Sequence, residues 1–183
     1  MQKEVTMNLQ DKKDFINRLI DSQDIIHEEY VNFNRRRVPL PDYEDGDIVP
    51  GWTGTALWWD YKAWPSSQRR CPRVTELVKD GPDHRATGWL VLDPHSRTPE
   101  HNHQDWGKKI ICHLPTILPE GDSGFVVEGK KYNWKMGELF AFDATKNHYG
   151  YNNTDYERSL FVLDFDYDEW IDVLKPYMSL TNF

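Results

Sequence analysis

Three of the seven histidines fall between residues 100 and 114, and the run Glu100-His101-Asn102-His103-Gln104-Asp105-Trp106 sets imidazoles and a carboxylate two residues apart. On an extended strand, residues two apart project from one face. His101 with His103, or His103 with Asp105, can therefore meet one metal ion while a distant histidine completes the set. A His-x-Asp triplet alone also fits an exposed polar loop. What makes the cluster specific is a second element, in which residues 137–143 lead through a turn to His148, and Arg158 follows to open the apolar run 159–165. A guanidinium at the start of such a run is costly to bury unless it meets an anion, and its planar fork grips a carboxylate through two parallel hydrogen bonds. A dicarboxylate bound beside the metal would be such an anion; a salt bridge to Asp143, Asp155 or Asp164 is the alternative.

The elements that must position these residues are short and β-prone. Runs at 55–59, 87–92, 110–114, 125–127, 132–134, 139–142 and 159–165 are punctuated by Gly and Pro, and Glu128-Gly129 reads as a tight hairpin turn. Strands of this kind without long intervening helices predict a mainly β architecture, a jelly roll or barrel, with flanking α-helices. Asp11 is placed to cap a helix over 11–33, whose apolar positions recur at three- and four-residue intervals. A second helix fits 72–79, with Pro72 in its first turn, and a third covers 169–178. Residues 38–51, with Pro39, Pro41 and Pro50 among acidic side chains, read as an extended connection. The division is one domain over 1–183: helix and connection over 1–50, the β core over 51–167, and a C-terminal helix over 168–183.

The chain has 183 residues, a net charge of -8 and a pI near 5.3, which argues against a nucleic-acid-binding face. The one basic run, Arg35-Arg36-Arg37, reads as a solvated linker. No stretch has the roughly 20 apolar residues of a bilayer span, and charges stand where a signal peptide would be apolar, so a soluble, cytoplasmic protein is expected. Cys71 and Cys112 lack metal or redox spacing and read as reduced and structural. The eight Trp, nine Tyr and eight Phe suit an aromatic core, with Trp52, Trp89 and Trp106 as candidates to line a pocket.

Residues 71–164 resemble the aspartyl/asparaginyl β-hydroxylase family of 2-oxoglutarate-dependent oxygenases. The resemblance is carried by Cys71-Pro72-Arg73, by Leu90-Val91-Leu92-Asp93-Pro94, by His113-Leu114-Pro115 with Pro119, and by Gly137-Glu138 running into Phe142-Asp143, then His148, Asn152 and Arg158. It implies a double-stranded β-helix, a cupin-like jelly roll, that binds Fe(II) and 2-oxoglutarate and uses O2 to hydroxylate a C–H bond of a small molecule or of a peptide or protein side chain. By the same resemblance His148 matches the second iron-binding histidine, and Arg158 matches the arginine that holds the distal carboxylate of 2-oxoglutarate. Register from Leu92-Asp93-Pro94 selects His101 as the first ligand, whereas a complete carboxylate triad selects His103 with Asp105.

The family commonly has Gly two residues after its first histidine and water in place of a carboxylate, where this chain has His103 or Asp105. The chain also departs at Ile111, where the family usually carries an Arg associated with substrate or cosubstrate binding. Lys109, on the same strand face as Ile111 and His113, is the candidate substitute, with Trp106, for substrate contacts. His113 is a candidate cosubstrate contact or a buried structural histidine. Two other classes fit the residues: a cupin-type dioxygenase whose iron is held by His101, His103 and His148 without 2-oxoglutarate, and a non-catalytic jelly roll that binds a small molecule.

Overall fold

The computed structural model describes residues 7–33, 37–41 and 46–178; Arg35 and Arg36 of the basic run lie outside the described residues. The helix expected over 11–33 is two helices, α1 (Leu9–Asp21) and α2 (Gln23–Phe33). The cap is Asn8 rather than Asp11. The Asn8 side chain accepts from the Asp11 N–H at 3.0 Å, and the Asp11 carboxylate accepts from the Asn8 N–H at 3.2 Å. This reciprocal box satisfies two of the N–H groups that a helix start leaves open, so Asp11 serves as its third residue.

A four-residue helix, α3 (Pro65–Gln68), precedes α4 (Pro72–Val78), which begins at Pro72 as expected. The buried Glu29 carboxylate caps α4, accepting from the N–H groups of Arg73 at 3.0 Å and Val74 at 2.9 Å. The last helix, α5 (Tyr167–Leu174), is capped by Asp166 and continues into a 3-10 turn, Lys175–Tyr177. No helix among the described residues is long and apolar enough to cross a membrane.

The strands are β1 (Val38–Pro41), β2 (Ile48–Trp59), β3 (Lys62–Ala63), β4 (Ala86–Leu92), β5 (Ser96–Arg97), β6 (Lys109–Ile117), β7 (Ser123–Val127), β8 (Lys130–Tyr132), β9 (Phe140–Asp143), β10 (His148–Asn152) and β11 (Arg158–Asp166). All pair antiparallel, in a seven-stranded sheet ordered β1-β2-β4-β11-β6-β9 with β3 on β2, and a four-stranded sheet ordered β5-β10-β7-β8. This is the double-stranded β-helix. The connection expected over 38–51 is instead largely strand: Val38 and Pro39 pair with Gly54 and Thr53 of β2. Pro39 is tolerated because β1 is an edge strand, where a missing ladder donor costs little. Glu128 and Gly129, at φ 48° and 74°, form the expected left-handed turn between β7 and β8.

Strand alternation divides the large sheet into two faces. Outward, Leu57, Trp89, Val91, Ile110, Cys112, Leu114, Phe161, Leu163 and Phe165 pack beneath the helices, on Phe15, Ile16, Leu19, Ile26, Tyr30, Val74 and Trp170. Inward, Ile111, Leu160 and Val162 meet Phe125, Val127 and Phe142. The inward side chains form rows across the sheet set by register: Trp52, Leu92 and Arg158; then Gly54, Leu90 and Leu160; then Ala56, Gly88, Val162 and His113. Arg158 thus sits at one end of a buried apolar face because it shares the parity of Leu160 and Val162.

Candidate metal and cosubstrate site

Between the sheets lies a cavity of about 300 Å³, lined by His101, His103, His113, His148 and Arg158 among apolar residues. His101 and His148 are joined by an isolated antiparallel bridge in which each backbone N–H donates to the other's carbonyl, at 3.0 and 2.8 Å. The His103 N–H donates to the Ala144 carbonyl at 2.8 Å. These backbone ties gather the three imidazoles, one potential ligand atom from each lying within 4.8 Å of the others. The group could hold a metal ion.

The donor set fits that role. Nδ1 of His101 donates to the Pro99 carbonyl at 2.9 Å and Nδ1 of His148 to the Lys146 carbonyl at 2.8 Å, the tautomer being fixed because a carbonyl can only accept. Each ring therefore presents Nε2 as a lone pair, the orientation in which a second partner aims a metal-binding histidine. Burial pushes His103 down to about 2 and His148 down to about 3, each further lowered by neighbouring imidazoles, so both stay neutral at pH 7 and ready to ligate.

Asp105 is not brought to this group. It is exposed, in a 3-10 turn spanning Gln104–Trp106, and the two-residue alternation on which a His103-x-Asp105 pair depends ends where that turn begins. Lys109 is also placed elsewhere: although buried, its ammonium is bonded to Asp83 and lies 4.0 Å from Asp166, outside the cavity lining. Trp106 lines the cavity and stacks on His103, with centroids 4.0 Å apart. Trp52 lines it near His101 at 5.8 Å, and Trp89 also borders it while its ring packs in the core against Tyr30 and Phe161.

Arg158 is 4 % exposed, and its Nε has no hydrogen-bond partner. Among the described residues no carboxylate pairs with it. Asp143 caps Thr145, Asp155 meets His95, and Asp164 accepts from the backbone N–H groups of Arg85 and Ala86. The guanidinium lies 4.6 Å over the Trp134 ring, and burial pushes it down to about 9, leaving it charged at pH 7. His113 is buried among Phe125, Trp134, Phe140 and Phe142, and burial, with the nearby Arg158 charge, holds it neutral. A buried cation with unused donors at the end of an apolar cavity could receive an anion.

Two residues that lie against the Arg158 guanidinium escape the sequence reading. A Cβ at Gly150 would sit 2.8 Å from a terminal nitrogen of Arg158, so glycine leaves room for the fork. Trp134 supplies the ring face beneath it. The signal for Gly150 was the alternation His148-x-Gly150-x-Asn152, three inward positions of β10. Asn152, wholly buried, donates to the Leu92, Asp93 and Tyr156 carbonyls and accepts from Thr154, fixing the turn that delivers Arg158.

The family model described as aspartyl/asparaginyl beta-hydroxylase matches residues 21–167. An ornithine lipid ester-linked acyl 2-hydroxylase from Rhizobium tropici is 24% identical over 117 residues, covering 63% of this chain and 38% of that protein, so the chain spans well under half of that relative's length. Among solved structures, a predicted oxalate decarboxylase from Thermotoga maritima aligns with TM-score 0.46 and 16% identity over 73% of this chain and 95% of that one. The polyketide cyclase RemF from Streptomyces resistomycificus aligns with TM-score 0.43 and 14% identity, over 73% and 74% of the two chains.

Proposed function

The chain belongs to the aspartyl/asparaginyl β-hydroxylase family, and from that premise we propose that it is an Fe(II)- and 2-oxoglutarate-dependent hydroxylase in which His101, His103 and His148 hold the iron and Arg158 holds the distal carboxylate of the keto acid. When bound, iron and 2-oxoglutarate supply the oxidising chemistry, in which O2 converts the keto acid to succinate and CO2 while one oxygen atom enters a substrate C–H bond. This chain's residues bind, orient and exclude water. The Pro99 and Lys146 carbonyls aim two imidazoles, Trp106 shields a third, and Trp134 and Gly150 set the guanidinium.

The observation that carries the reading is Arg158: a buried guanidinium without an acidic partner among the described residues, lining the same cavity as three converging histidines. A second reading, an iron dioxygenase with three histidine ligands and no keto acid, is favoured by the exclusion of Asp105 from the histidine group; it leaves Arg158 without a purpose. Calorimetric titration of anaerobic, Fe(II)-loaded protein with 2-oxoglutarate separates them. One equivalent should bind; no binding to protein that has retained its iron would leave the second reading.

A further inference from the structure

The three imidazoles are not aimed alike. The Pro99 and Lys146 carbonyls fix the rings of His101 and His148, whereas the ring of His103 lies on the Trp106 indole, 4.0 Å between centroids and 21° from parallel. Trp106 is a weak support by itself. It ends a three-residue 3-10 turn, Gln104–Trp106, in which its N–H donates to the His103 carbonyl at 3.0 Å, and Gly107 at φ 77° then turns the chain away. Arg85 reaches this indole from outside the turn, its guanidinium 5.2 Å over the ring, and Trp59 meets it edge to face at 6.3 Å. A guanidinium over an indole is attracted by the negative face of the ring and stacks on it as an ammonium does not.

Arg85 is held along its whole length. Its N–H and that of Ala86 donate to the buried Asp164 carboxylate at 3.2 and 2.8 Å, and its carbonyl accepts from the Asp60 N–H at 2.8 Å. Its guanidinium pairs with the Asp60 carboxylate and lies 5.5 Å from the centre of the Tyr61 ring. The Tyr61 N–H donates to the His84 carbonyl at 3.0 Å. Asp60, Tyr61 and His84 stand at φ 52°, 63° and 64°, a left-handed backbone that residues other than glycine keep only where the surroundings enforce it. The β2–β3 turn and the segment entering β4 are thus locked together, with Arg85 between them. Arg85 does not line the histidine cavity; it borders a neighbouring recess that shares Trp59, Trp64 and Trp106 with it. Unlike Arg158, it already has a carboxylate partner, which suits it to hold a neighbouring ring rather than to receive an anion.

We propose that Arg85, braced by Asp60, is a positioning residue for the third histidine: it holds the Trp106 indole against His103 and so keeps that imidazole turned toward His101 and His148. The proposal rests on the reading of His103 as an iron ligand and makes no use of the keto acid. Without Arg85 the indole can swing on its short turn and the His103 ring swings with it. The site then keeps all three donors but loses their alignment.

Two readouts on the full-length chain test it, with melting temperatures showing that each variant folds. In metal-free protein the His103 Cε1–H proton resonance should be shifted upfield by the indole ring current. Arg85→Ala should move it downfield, and Arg85→Lys, which keeps a cation near the ring, should move it less. In anaerobic Fe(II) titration against a competing chelator, Arg85→Ala should weaken binding about tenfold, and Arg85→Lys and Asp60→Asn about threefold each. In a His103→Ala background Arg85→Ala should cost nothing further, because a residue that acts through His103 is coupled to it. An unmoved resonance in folded Arg85→Ala, an unchanged Fe(II) affinity, or a loss that adds in full to that of His103→Ala overturns the proposal. Should Arg85→Ala not fold, Arg85→Lys and Asp60→Asn carry the same readings. An Fe(II) affinity untouched by His103→Ala overturns the iron reading and the proposal with it, whereas one that falls with His103→Ala but not with Arg85→Ala removes the proposal alone.

Discussion

His101 and His148 exchange two backbone hydrogen bonds, of 3.0 and 2.8 Å, so the segment bearing one candidate ligand is paired directly with the first residue of the strand bearing another. The site is therefore set by main-chain geometry, with each ring then aimed by a carbonyl two residues upstream. Preorganisation of this kind makes the third ligand testable by itself. Replacing His103 with Ala should weaken Fe(II) binding by about 100-fold or more, since one of three donors and the stack on Trp106 are lost. Asp105→Ala should leave it within about threefold. Anaerobic Fe(II) titration against a competing chelator measures both; equal losses would return Asp105 to the site.

Arg158 should be costly to the apo protein and necessary to the complex. A buried, unpaired cation is destabilising, and an apolar replacement of similar length is often neutral or better. Arg158→Met is expected to melt at or above the parent temperature without ligand, yet to bind 2-oxoglutarate about 100-fold more weakly, a loss of roughly 3 kcal/mol. A variant that melts many degrees lower while unliganded would mean that the guanidinium holds the fold together.

Gly150→Ala adds a methyl group 2.8 Å from the Arg158 fork. The side chain must shift, and 2-oxoglutarate affinity should fall about tenfold while Fe(II) affinity is unchanged, because His148 is held by Lys146 and His101 rather than by Gly150. Parallel titrations of the two ligands read the split; a matched loss of iron would contradict it.

Asp164 gives a pH signature. It is wholly buried, and burial raises its carboxyl from 3.8 to about 6, against the lowering effect of two backbone N–H donors. Because the folded value lies above the unfolded one, the unfolded chain ionises first as pH rises. The contribution of Asp164 is complete below about pH 4 and is lost as pH climbs through 6. Urea unfolding of parent and Asp164→Asn between pH 4 and 6.5 should show the parent losing on the order of 2–3 kcal/mol relative to the variant. A pH-independent difference would be evidence against this assignment.

The parts of the fold legible in the sequence were those written in strong local patterns. Strand β11 and strand β6 are apolar on both faces because one meets the helices and the other the cavity, and Glu128-Gly129 carries its turn chemistry in two residues. Strand β1 was hidden because Pro39 and Pro41 disguise an edge, and β10 because a five-residue strand of His, Tyr, Gly and Asn has almost no hydrophobic period. The helix boundary at Ser22 was hidden because α1 and α2 present apolar residues at nearly continuous spacing.

The candidate site divided in the same way. His148 and Arg158 could be singled out because a turn and an apolar strand flank them. The choice among His101, His103 and Asp105 depends on where an extended segment gives way to the turn at Gln104–Trp106, and on which backbone groups lie across from it, the His148 and Ala144 carbonyls. Lys109 looked free to enter the cavity because its partner, Asp83, is distant in sequence.

Iron on the three histidines and a keto acid anchored by Arg158 are proposed to share one cavity. Adding 2-oxoglutarate to anaerobic, Fe(II)-loaded protein would reveal this through the weak visible charge-transfer band of a keto acid chelated to ferrous iron. The band should appear with one equivalent, be lost in Arg158→Ala at the same concentration, and persist in Asp105→Ala. Intact, iron-loaded protein that shows no band at saturating 2-oxoglutarate would mean that the keto acid does not bind beside the iron.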